Sequence, residues 1–179
     1  EYKANMIIPQ VSENKTMSGT PVIPDACPAC GGKTKIYTGR DGSRQLYCIN
    51  PDCPAKHLGG FVHAVKRDAL NIEGISEKTL EDFMAEGFLH TLGDLYRLAR
   101  HENEIAALPG YGRLSAANLK RSLETARVQT LDRLIYAFGI PFVGRTATKA
   151  ICRHFGYDVG KTVNASWEDL TAIDGVGEA

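Results

Sequence analysis

Hydrophobic and polar positions change rhythm near residue 60. Before it, Thr34 to Tyr37 and Arg44 to Tyr47 read as two strands joined by the turn Gly39-Arg40-Asp41-Gly42, which predicts a β-hairpin. After it, apolar residues recur at helical spacing. Leu80, Phe83 and Met84 precede a stop at Gly87, and Leu92, Leu95 and Leu98/Ala99 follow. Ala116, Leu119, Leu123 and Ala126 form one stripe, and Leu131, Leu134, Ile135 and Phe138 another, before Gly139. Ala147, Ala150, Ile151 and Phe155 continue the pattern, and Trp167, Leu170 and Ile173 end it. Ser166 and Asp169 are spaced as a capping box ahead of this last stripe. Each stripe is expected to face a core.

The corners between these helices are alike. They read Ile72-Glu73-Gly74-Ile75-Ser76, Leu108-Pro109-Gly110-Tyr111-Gly112, Ile140-Pro141-Phe142-Val143-Gly144 and Ile173-Asp174-Gly175-Val176-Gly177, with last residues 36, 32 and 33 apart. A period of this size marks a repeated unit, here helix, short glycine hairpin, helix. Glycines remove the Cβ atoms that hold another backbone away. The hairpin amides and the first amides of the next helix can then form an anion site, aided by the helix dipole. A phosphodiester fits such a site, and contacts of this kind carry no base information. Arg113 and Arg145 follow the final glycines, and Lys78 lies two residues after Ser76, placed to add charge.

The candidate contacts are therefore Gly74, Ile75, Ser76 and Lys78; Gly110, Tyr111, Gly112 and Arg113; Val143, Gly144 and Arg145; and Gly175, Val176 and Gly177. The second and fourth corners have the full glycine-hydrophobic-glycine form. Ser76 replaces the second glycine of the first corner and Phe142 the first glycine of the third, so these two are expected to bind phosphate more weakly or to serve packing. Four αα-hairpins without any ligand are the plainer reading.

Four of the five cysteines, Cys27, Cys30, Cys48 and Cys53, lie within 27 residues in the pattern C-x2-C, seventeen residues, C-x4-C. The hairpin between the pairs brings them to one end, where four thiolates can surround a tetrahedral zinc ion, with Gly31 and Gly32 allowing the tight knuckle. Four sulfur ligands leave no open position, so the zinc is expected to be structural. Two disulfides are the competing reading. His57 and His63 are expected to be surface or packing residues, and Cys152 a buried small hydrophobe.

Composition narrows the partners. The apolar fraction of 43% suits a packed protein, and no apolar run reaches membrane-span length. The first residues have no basic stretch leading into an apolar core, and the chain reads as a piece of a longer protein. Net charge is zero, with nine Lys/Arg against six acids in residues 1–70 and seven against nine in 71–128. Binding to nucleic acid must then rest on local geometry more than on bulk charge.

The corners match the helix-hairpin-helix motif, which binds DNA backbone without sequence preference. Together with the four-cysteine module and the stretches "CPACG", "CINPDCPA", "FVHAVKRDALNIEGIS" and "GIPFVG", they make the chain resemble the C-terminal half of the bacterial NAD-dependent DNA ligase family. "KANMIIPQV" resembles the last strands of that family's OB fold. The resemblance implies a mainly α fold: residues 1–22 ending an OB-fold barrel, 23–58 a four-cysteine zinc finger linking it onward, and 59–179 a helix-hairpin-helix domain whose fourth motif is truncated.

It also implies nick sealing in replication and repair, in which a lysine of a K-x-D-G motif takes AMP from NAD and Mg2+ assists the final step. None of the ten lysines here begins that motif, so no catalytic residue is expected in this chain. What the resemblance leaves to it is the clamp that holds nicked duplex DNA across the minor groove, within a monomeric bacterial ligase of the cytoplasm and nucleoid. A non-catalytic repair or junction-binding protein and a protein-interaction adaptor are the alternatives. "GYDVGKT" is one residue short of a P-loop and follows a helix, which reads as a helix stop and loop.

Overall fold

The computed structural model describes residues 13, 15–16, 22–39 and 42–176. The chain divides at Asn50/Pro51 into two compact units. In the first, strand β1 (Thr34–Thr38) pairs antiparallel with β2 (Arg44–Cys48), Thr34 opposite Cys48 and Thr38 opposite Arg44. The predicted hairpin forms, and its return strand carries Cys48 to the end where Cys27 and Cys30 lie. Gly42 closes the turn at φ +78°, a conformation that favours glycine. Arg40 and Asp41, and the stretch proposed to end an OB fold apart from residues 13, 15–16 and 22, lie outside the described residues. Two strands alone are marginally stable in water, so this unit needs another source of stability.

The second unit is helical among its described residues. Helices α1 (Pro54–Val65) and α2 (Glu77–Ala85) flank the first corner. Short α3 (Leu92–Leu95), a 3-10 turn (Leu98–His101) and α4 (Glu102–Ala107) lead to the second corner, which α5 (Arg113–Ala126) follows. Helices α6 (Leu131–Ala137) and α7 (Arg145–His154) flank the third corner, and α8 (Val159–Val163) and α9 (Trp167–Thr171) precede the fourth. Pro54 sits at the first position of α1, where its missing N–H costs nothing. The boundary expected between residues 58 and 59 falls inside this helix.

The core follows the expected stripes through α5. Leu80 and Phe83 of α2, Leu95, Leu98, Ile105, and Ala116, Leu119, Leu123 and Ala126 of α5 are all buried in one cluster. Burying each large side chain contributes about 1.5–3 kcal/mol. Two later stripes are only partly covered, with Leu131, Ile135 and Leu170 half-buried. In α6, Leu134 and Phe138 are exposed, and the buried residues are Asp132 and Ala137. Helix α6 turns that face inward because its polar groups are tied to the 63–70 segment. His63 Nε2 bonds the Tyr136 carbonyl at 2.8 Å, and Arg133 donates to the carbonyls of Ala69 (2.7 Å) and Arg67. In the last stripe Ile173 is buried but Trp167 is exposed, and α9 buries no residue.

The predicted punctuation is present. Gly87 ends α2 at φ +75°, and Ser166 and Asp169 form both bonds of a capping box. An unforeseen second box, Thr91 with Asp94, starts α3.

Candidate metal centre and nucleic-acid interface

The sulfur atoms of Cys27, Cys30, Cys48 and Cys53 all lie within 4.8 Å of one another, with Cys30 and Cys48 at 3.5 Å. A tetrahedral ion with metal–sulfur bonds of about 2.3 Å requires sulfur–sulfur edges of about 3.8 Å, so the donor set fits one. None of the five cysteines is in a disulfide. The first pair sits on a knuckle in which the Cys27 amide donates to the Gly32 carbonyl (2.7 Å) and the Gly31 amide to that of Cys27 (2.8 Å). Gly31 holds φ +67°, and a Cβ on Gly32 would come within 2.9 Å of Asn50 Cβ and 3.2 Å of Cys30 Sγ. Both glycines are therefore demanded by the cysteine loop itself. Four thiolates packed this closely repel unless a cation or protons neutralise them, so the site is positioned to hold a metal ion.

His57 is exposed, while His63 packs edge-on against Tyr136 and stands outside the cluster. Cys152 is fully buried. Burial first, then the nearby charge of Asp132, raises its thiol pKa and keeps it inert.

The four corners share one backbone. Gly74, Gly110, Phe142 and Gly175 occupy the same place in each and hold φ of +80°, +83°, +66° and +80°. In three of them the next amide closes the turn: Tyr111 onto Leu108 O (3.0 Å), Val143 onto Ile140 O (3.1 Å) and Val176 onto Ile173 O (3.0 Å). In the second and third corners Pro109 and Pro141 precede the positive-φ residue, which fits a type II turn. Gly177 lies outside the described residues.

The middle hydrophobic residue of each corner is at least partly buried. Ile75 and Tyr111 pack on the core, and Val143 and Val176 are half-buried. The Tyr111 ring meets Phe83 at 5.7 Å and its hydroxyl donates to Asp82 (3.2 Å). Ile75 and Tyr111 thereby anchor their hairpins.

Where the next helix begins, the corners differ. Ser76 caps α2 by accepting from the Thr79 amide at 3.1 Å. Gly112 and Gly144 sit at the same position for α5 and α7 and have no side chain to cap with. The first main-chain bonds of these helices are Ala116 N to Gly112 O and Thr148 N to Gly144 O, both 3.0 Å. The amides of Arg113 to Ser115 and of Arg145 to Ala147 precede them and have no intrahelical acceptor. At Gly112 and Gly144 φ is −159° and −82°, which other residues adopt, and an added Cβ would meet nothing within 4 Å. Nothing among the described residues requires glycine at either place. What the missing side chains leave is open access to positively polarised helix ends.

The three cations placed by sequence are unequal. Lys78 pairs with Asp82 (2.7 Å) and Glu81 (3.7 Å), and its pKa is raised, chiefly by the Asp82 hydrogen bond. Arg145 pairs with Asp68 at 2.6 Å, a partner 77 positions away that no local pattern reveals. Arg113 is exposed and has no ion pair among the described residues. In the P-loop imitation, Asp158 caps α8 by accepting from Lys161 N at 2.8 Å, so that helix end is already filled. The stretch is a helix stop followed by a five-residue helix, not by a loop alone.

Fold and site together define a mainly helical chain of repeated helix-hairpin-helix corners with a four-cysteine knuckle placed to hold a metal ion, and a family model described as "Helix-hairpin-helix motif" matches residues 133–179. Similarity extends much further along the chain. It is 48% identical over 177 residues to the DNA ligase of Ruminiclostridium cellulolyticum, covering 99% of this chain and 27% of that protein. It is 46% identical over 176 residues to that of Lachnoclostridium phytofermentans (98% and 27%), and 36% over 181 residues to that of Halalkalibacterium halodurans (98% and 26%). Over nearly its whole length the chain is similar to a segment of these DNA ligases, and it spans about a quarter of their length. No helix among the described residues is long and apolar enough to cross a membrane.

Proposed function

We propose that this chain is the DNA-holding region of a bacterial NAD-dependent DNA ligase, gripping nicked duplex through its backbone phosphates while the rest of the ligase performs the chemistry. One observation carries the reading: the uncapped, glycine-fronted N-termini of α5 and α7 stand open to solvent in matched hairpins. Paired donors of this kind suit phosphate oxygens and read no sequence. Arg113, without an ion pair among the described residues, adds a charge beside one of them. Arg145 reaches a phosphate only by sharing or exchanging Asp68. The first corner, already capped by Ser76, contributes less.

The four-cysteine cluster holds zinc in a structural role, since four sulfur ligands leave no position for substrate. The metal fixes the knuckles around the short hairpin. Transfer of AMP from NAD and the Mg2+-assisted sealing step lie outside this chain, because no lysine here begins K-x-D-G. The segment alone is inactive, acts as a monomer, and works with its ligase in the cytoplasm at the nucleoid.

The test is binding of the 179-residue chain to nicked and intact duplexes over a salt series, with zinc measured alongside. Sequence-independent binding that weakens steeply with salt, stronger at a nick, with one zinc per chain, is expected. Absence of salt-dependent binding would overturn the reading.

A further inference from the structure

The third corner departs from the others at one residue. Where three corners have glycine at positive φ, it has Phe142 at φ +66°, a region that a residue bearing a Cβ occupies only at a cost. The fold does not recover that cost by packing, because Phe142 is 88% exposed. An apolar ring in water is a second cost. Two unfavourable features at one position, in a repeat that elsewhere solves the same turn with glycine, direct attention to what lies outside the chain.

The surroundings identify the partner's chemistry. Phe142 stands two residues before Gly144, the open end of α7, and within the stretch matched by the helix-hairpin-helix model. An anion-binding helix end beside an outward apolar ring complements a surface where phosphates alternate with apolar sugar and base faces. Duplex DNA is such a surface, and apolar side chains are commonly pressed into its minor groove.

We infer that Phe142 is an apolar wedge that packs against the sugars and base-step edge of duplex DNA beside the phosphate held at the N-terminus of α7. The inference rests on the proposed DNA-holding function and adds a division of labour to it. Helix amides and arginines supply the affinity that salt screens, and the ring supplies affinity that salt leaves intact.

The test compares the 179-residue chain with Phe142→Gly, Phe142→Leu and a control, Val163→Ala, which trims another exposed apolar residue (75% exposed). Thermal melting and the Kd for nicked duplex, by fluorescence anisotropy across a salt series, are the readouts. Phe142→Gly should melt at or above the parent, since glycine relieves the left-handed backbone. It should bind at least about fivefold more weakly at every salt concentration, with an unchanged salt slope. Phe142→Leu should lose less, and Val163→Ala should bind like the parent. Equal binding by parent and Phe142→Gly overturns the wedge, as does melting several degrees lower, which would make the ring a packing residue. A changed slope also overturns it by assigning the effect to phosphate contact. A parent chain that fails to bind nicked duplex sinks the DNA-holding function and the wedge with it, an outcome distinct from the other three.

Discussion

Gly110 and Gly112 stand two residues apart in one corner, and the structure gives them opposite reasons to be glycine. Gly110 holds φ +83°, so alanine there forces a Cβ into the left-handed region, although no neighbour obstructs it. The cost is about 1–2 kcal/mol, which for a chain of this size lowers Tm by roughly 2–8 °C. Gly112 holds φ −159°, extended backbone open to any residue, and its added Cβ also meets nothing. Alanine there restricts the unfolded chain, a gain of about 0.4–1 kcal/mol, and is a slightly poorer helix cap, a loss of similar size. The two nearly cancel, and Tm should move by no more than about 2 °C.

DNA affinity should respond the other way. A methyl group at Gly112 stands where a phosphate must approach the α5 amides, and losing one charge-assisted bond of about 1.5–3 kcal/mol weakens binding roughly tenfold or more. Melting by calorimetry and anisotropy with a labelled nicked duplex measure both axes on the same samples. Gly112→Ala with parent-like affinity, or with a Tm loss as large as that of Gly110→Ala, would refute the assignment of Gly112 to ligand approach.

Other consequences follow from the pairing of charges and from the four-cysteine knuckle. Arg113→Ala should reduce the slope of log K against log salt by about one, while Lys78→Ala should change it less, because Lys78 is already held by Asp82 and Glu81. Equal slopes for both would count against the distinction. Chelation, or Cys48→Ala, should release zinc and loosen residues 27–53 while the helical signal of residues 54–171 persists; a helical signal lost in step with zinc would contradict this. Asp94, whose carboxylate accepts from the Thr91 and His90 amides and pairs with Arg97, is held well below the usual carboxylate range, chiefly by the Thr91 amide. A depressed folded pKa stabilises above the unfolded value near 4 and is lost as pH falls further. Asp94→Asn should therefore lower Tm at neutral pH, with a deficit that shrinks below about pH 4.

Features encoded by neighbours in the chain were legible from the residues themselves. Cysteine spacing announced the cluster because a hairpin of fixed length must return its ends together. The corners announced a repeated turn because proline and glycine fix φ locally, whatever surrounds them. The Ser166–Asp169 capping box is equally local. Even Phe142, which breaks the glycine pattern, keeps the backbone of its three counterparts.

Tertiary structure decided what periodicity leaves open. Spacing says that Leu131, Leu134, Ile135 and Phe138 share one side of a helix, but it does not say which side its neighbours will cover. Bonds from His63 and Arg133, made across more than 60 residues of chain, turned Asp132 and Ala137 inward and left Leu134 and Phe138 outside. The same holds for charge. Lys78, Arg113 and Arg145 look alike beside their corners, yet Asp68 neutralises one, the α2 acids another, and only Arg113 is left uncommitted among the described residues. Local sequence fixes backbone geometry within a few residues, whereas burial and charge neutralisation depend on groups that meet only when the chain has folded.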